Sequence, residues 1–157
     1  MHWRAVVAGV VWGVGYLACC YLLPPLEAVG VVAVPLALGA GPLAGAAAGH
    51  LSPGGPAEGT RYGLAAGALT GLVFAVGFWH VVSVPRFDTL TPVGRGGAFY
   101  AAKLTFAYSA GDVPLFSRYP GRSAGALAVA GGTAIALLGG YAGYVVEARE
   151  EVEFVTE

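Results

Sequence analysis

The sequence predicts an all-α membrane protein: four transmembrane helices in a bundle, with a long loop between helices three and four. Three observations predict it. The 157-residue chain is 57% hydrophobic and only 11% charged, against about 25% charged in an ordinary soluble domain. It carries 26 glycines, far above the usual ~7%, and its mean hydropathy is +0.71. Its charged residues keep out of four long apolar stretches that together make up more than half the chain. So little polar surface excludes an ordinary soluble enzyme. The glycines follow no three-residue period, which excludes collagen, and the chain is too apolar to be disordered.

Each span follows from length and punctuation. A crossing helix needs about 20 mostly apolar residues. Residues 5–23 hold no charge and stop at Pro24 and Pro25, which cannot continue a helix. Residues 28–51 are also uncharged and contain Pro35 and Pro42. Proline is tolerated in a membrane helix when neighbours re-satisfy the freed carbonyls, so kinks are expected there. Residues 62–84 end at Pro85 and Arg86, and residues 124–146 end at the charged run from Glu147 to Glu151. None of the eight Lys and Arg or nine Asp and Glu falls well inside a span. A charge at the bilayer centre costs about 2.5–3.5 kcal/mol on insertion scales, which accounts for the avoidance.

The remaining segments are connections. Residues 24–27 form a tight link, so spans one and two pair antiparallel. Ser52, Pro53, Gly54, Gly55 and Pro56 form a turn cluster that joins spans two and three. The 85–123 loop is mainly basic, with Arg86, Arg95, Lys103, Arg118 and Arg122 against Asp88 and Asp112. Within it, residues 98–110 are apolar but too short to span. They read either as an interfacial helix inserting Phe99, Tyr100, Phe106 and Tyr108 or as an ordered loop. The 147–157 tail is acidic and reads as a solvated terminus. The apolar run after Arg4 reads as a first span and not as a cleaved signal, because it is longer than a signal core and further spans follow. The balance of Lys and Arg between the two sides leaves orientation open.

Greasy side chains alone do not drive helices together in lipid; small residues four apart do, by letting backbones approach. Span one has Gly9 and Gly13, and span two has Gly41, Gly45 and Gly49. The third opens with Gly59, Gly63, Gly67 and Gly71. Span four carries Ala124, Ala128, Gly132, Ala136 and Gly140. Four-residue spacing places each series on one helix face. These series read first as packing within one bundle, and second as the interface of a homo-oligomer or of a membrane-complex subunit.

Several of these stretches resemble a known group. Trp3-Arg4-Ala5-Val6-Val7-Ala8-Gly9 opens the first span, and Gly41-Pro-Leu-Ala-Gly45-Ala-Ala-Ala-Gly49-His50-Leu51 closes the second. Ser52-Pro53-Gly54-Gly55 turns, and Glu58-Gly59-Thr60-Arg61-Tyr62-Gly63 leads into the third. The chain resembles the small Gly/Ala-rich four-helix membrane proteins of haloarchaea over roughly residues 1–84 and the last span. The resemblance implies fold and location only. The long 85–123 loop departs from that compact pattern, so a specific role is expected there.

The chain offers little chemistry. Cys19 and Cys20 are adjacent, and neighbouring helix residues point about 100° apart, so they do not readily share a metal. No second cysteine pair completes a zinc site. His50 and His80 fall at opposite ends of their hairpin. Candidate functional polar residues are Glu27, in the first link, His80, and Asp88 and Asp112 of the loop. Their spacing matches no nucleophile–base pair, metal set or phosphate cradle. The expected partners are therefore the lipid bilayer and other membrane helices. The basic residues are too sparse for nucleic acid. Catalysis and a bound cofactor are not expected. A small transporter or channel subunit is the alternative reading.

Overall fold

The computed structural model describes residues 2–22, 35–83, 114 and 118–155. Among the described residues there is no strand, and four helices organise the chain: α1, Trp3–Leu22; α2, Ala40–His50; α3, Pro56–Ser83; and α4, Pro120–Val155. Three of them hold stretches long and apolar enough to cross a membrane: Trp3–Tyr21, Pro56–Val82 and Gly121–Arg149. The second expected span is described only in part. Its described part is α2, of 11 residues, preceded by a helical turn at 35–38. At 1.5 Å per residue α2 covers about 17 Å, short of the ~30 Å a crossing needs. Residues 28–34 of that expected span lie outside the described residues, as do the 24–27 link, the 84–113 part of the loop and the interfacial segment 98–110.

α3 starts, and α4 both starts and ends, outside the expected spans for a simple reason: span limits are set by lipid, helix limits by the backbone. α3 begins at Pro56, not at residue 62. Proline suits the first helical turn, where its missing N–H has no partner to lose. The Gly55 carbonyl accepts from the amides of Glu58 and Gly59, at 2.8 and 3.2 Å, and closes that first turn. α4 begins at Pro120, inside the expected loop. It then runs through the charged tail to Val155, because Glu, Ala and Arg are good helix formers.

Pro42 lies just after an interruption of the helical run. It lacks the amide that would bond the Leu38 carbonyl, and the interruption falls at Gly39. Gly39 keeps right-handed helical angles (φ −57°, ψ −19°), so the backbone stays close to helical through the interruption. The Tyr16 hydroxyl of α1 donates to the Leu36 carbonyl at 2.8 Å and ties this junction to α1.

The direction of each helix follows from its neighbours. Gly41, Gly45 and Gly49 lie against Ile135, Gly139 and Gly143 in rising order, so α2 and α4 run parallel. Gly59, Gly63 and Gly71 meet Gly143, Gly139 and Gly132, so α3 and α4 run antiparallel. Gly9 and Gly13 meet Ala66 and Thr70, so α1 runs with α3. The four helices therefore alternate up and down. α3 against α4 is the most extensive pairing. The apolar core lies around Leu17, Ala40, Val81 and Ile135, with Phe74 and Phe78 stacked at 5.8 Å. Trp12, Leu72, Val76, Val129 and Leu137 stand exposed on the outer faces.

Candidate functional site

Two features of the structure bear on function: a seam of glycines between helices, and the polar groups at its ends. The seam joins α2, α3 and α4. A methyl group built on Gly45 would collide with the Gly139 carbonyl oxygen, and one on Gly63 would collide with the same oxygen. One on Gly71 would meet the Gly132 oxygen, and one on Gly143 the Gly59 oxygen. A methyl on Gly41 would lie 2.5 Å from the Ile135 oxygen, one on Gly49 2.9 Å from Gly143 O and one on Gly67 3.0 Å from Ala136 O. Along this line backbone touches backbone, and no side chain fits between.

α1 joins the seam from its other side. A methyl on Gly9 would lie 2.5 Å from the Ala44 oxygen, and one on Gly13 would lie 2.5 Å from Thr70 Oγ1. A methyl on Gly132 would lie 2.7 Å from the Gly71 oxygen. Gly140 is different: a methyl there meets Leu64 at an ordinary 3.4 Å. The residues beside it, Gly139 and Gly143, make the close approach. The reason is helical phase. Each four-residue step advances 400°, so a strict series drifts 40° per step. The five positions expected on span four cannot all stay in one contact. The buried line instead runs Ala124, Ala128, Gly132, Ile135, Gly139, Gly143 and Glu147, with one three-residue step that resets the phase.

At the end of this line sits Glu147, a carboxylate only 7% exposed. Its aliphatic stem packs on Gly59. The Ser52 hydroxyl, from the α2–α3 turn, donates to Glu147 Oε1 at 2.5 Å. A turn residue thus reaches across 95 positions of sequence to the last buried residue of α4. Ser52 and Glu147 belong to segments the sequence reads as turn punctuation and solvated tail. Nothing in their local pattern signals the pairing, which depends on α4 staying helical past residue 146.

A second polar group lies deep in the bundle. Thr70 is fully buried, and its Oγ1 has no hydrogen-bond partner among the described residues. Other hydroxyls behave differently. Thr60, Ser123 and Thr133 donate to the carbonyl four residues back, at 2.7, 3.0 and 2.8 Å. The Thr70 hydroxyl lies against Gly13 instead.

The expected polar candidates do not gather. Glu27, Asp88 and Asp112 lie outside the described residues. His80 is exposed near the end of α3, and His50 is exposed at the opposite end of the bundle. Cys19 is exposed and Cys20 buried, as their 100° offset requires, and both are free thiols. Among the described residues no three His, Cys, Asp or Glu side chains are placed to hold a metal ion. Comparison of the chain with protein-family models, with curated proteins and with solved structures finds no match.

Proposed function

We propose that the chain is a multi-pass protein of the cell membrane, a four-helix bundle of structural or accessory type that works through helix packing. The observation that carries this reading is the glycine seam beneath an apolar outer surface. In lipid, a contact that excludes even a methyl group gains van der Waals packing that bulkier helices cannot reach. Exposed Trp12, Val129 and Leu137 need an apolar surrounding of the kind acyl chains provide. In this reading the stretch ending in α2 completes the fourth crossing. The polar residues of the 85–123 loop offer contact to a second copy or to another membrane subunit.

Isolation of the tagged protein in a gentle detergent, followed by mass determination of the intact assembly, tests the accessory role. A defined complex supports it. A lone, stable monomer with no associated chain counts against it.

A second reading, a small transporter or channel subunit, draws on Glu147. A carboxylate buried at the end of a candidate span is the kind of group that marks an ion path. Ion flux into liposomes carrying the purified protein, lost in Glu147→Gln, is the result this reading requires. Flux no greater than in empty liposomes removes it.

A further inference from the structure

The start of α4 gathers two cations on one aromatic ring. The Arg118 guanidinium lies 5.8 Å from the centre of the Tyr119 ring, and that of Arg122 lies 5.5 Å from the same centre. All three side chains are exposed. Tyr119 anchors the turn that brings them together: its carbonyl accepts from both the amide and the hydroxyl of Ser123, each at 3.0 Å. The cluster sits where the apolar stretch Gly121–Arg149 begins. α3 runs antiparallel to α4, so its exposed Trp79 stands at the same end.

Charge is unbalanced between the two ends. Among the described residues every acid lies at the opposite end: Glu58 at the start of α3, and Glu147, Glu150, Glu151 and Glu153 late in α4. The two arginines therefore share one ring, with no carboxylate near them among the described residues. Two like charges at such range repel, and stacking on the ring compensates only partly. An anion between them relieves the repulsion. Guanidinium groups present paired donors that match phosphate oxygens, and tyrosine and tryptophan favour the headgroup level.

We propose that Arg118, Tyr119 and Arg122 form a binding site for the phosphate of an anionic membrane lipid. The site rests on the membrane reading above and adds selectivity to it. A zwitterionic lipid brings its own cation and gains less from the pair. A lipid also supplies acyl chains that the apolar outer face of α4, with Leu127 and Val129 exposed, receives below the headgroup.

The test is reconstitution in equal parts of phosphatidylcholine and phosphatidylglycerol, then native mass spectrometry of the lipids retained. Flotation of the vesicles first reports insertion. The parent protein retains phosphatidylglycerol about tenfold over its share of the bulk, since each basic residue near an anionic surface is worth roughly fivefold and screening reduces the pair. Arg118→Gln with Arg122→Gln loses that enrichment, while Arg149→Gln, at the other end, keeps it. Equal retention of both lipids by the parent, or enrichment unchanged in the double variant, overturns the site while leaving the membrane reading intact. Failure of the parent to float with the vesicles overturns both.

Discussion

At the residue scale, buried polar groups carry the sharpest consequences. Ser52 supplies a hydrogen bond to a carboxylate that has little access to water. Leaving a buried acceptor without its donor costs about 1–3 kcal/mol, more when it is charged. Ser52→Ala should therefore lower stability by roughly that amount. Combining it with Glu147→Gln should recover part of the loss, because contacting residues are not additive. A denaturation cycle on the four proteins checks this, and strict additivity would show that the two side chains do not interact. Thr70 gives the opposite expectation. Its buried hydroxyl has no partner among the described residues, so the hydroxyl's desolvation is uncompensated. Thr70→Val should be at least as stable as the parent. A loss of about 1 kcal/mol or more would mean the hydroxyl is bonded after all.

At the element scale, propensity and packing divide the work. Residues 3–22 and 56–83 are helices because they are long apolar runs bounded by proline or turn residues, and this much is legible in the sequence. The interruption before α2 is legible too, as a proline inside a span. Its support is not. Tyr16 lies twenty residues from the Leu36 carbonyl it bonds, and only the antiparallel docking of α1 on α2 brings them together. Tyr16→Phe should cost about 1 kcal/mol, the usual net worth of one hydrogen bond, because the Gly39 amide remains as a second partner at 3.1 Å. Thermal unfolding of the variant in detergent reads that cost. No change would mean this junction is held by packing alone. The extent of α4 was hidden for a different reason. Charge marks where a helix leaves lipid, and it says nothing about where the backbone stops being helical.

At the scale of the whole molecule, composition announces glycine-mediated packing, but only three-dimensional phase assigns each glycine its role. Gly41, Gly45, Gly49, Gly63, Gly67 and Gly71 fall on the seam because their series are short enough to stay in register with a partner. On α4 the drift of a longer series shifts the contact from Gly140 to Gly139 and Gly143. The Glu147 pairing joins segments far apart in sequence and so has no local signature, whereas the arginine cluster lies within residues 118–122. The most direct measurement of the seam compares two alanines in phospholipid vesicles. Gly45 has the Gly139 backbone against it, whereas Gly125, also within a helix, has nothing within 4 Å among the described residues. Gly125→Ala should be neutral or stabilising by up to about 1 kcal/mol, the ordinary gain of alanine over glycine in a helix. Gly45→Ala should destabilise by about 1–3 kcal/mol, the cost of overpacking a tight contact. Equal stability of the two variants would contradict backbone-to-backbone packing as the basis of this fold.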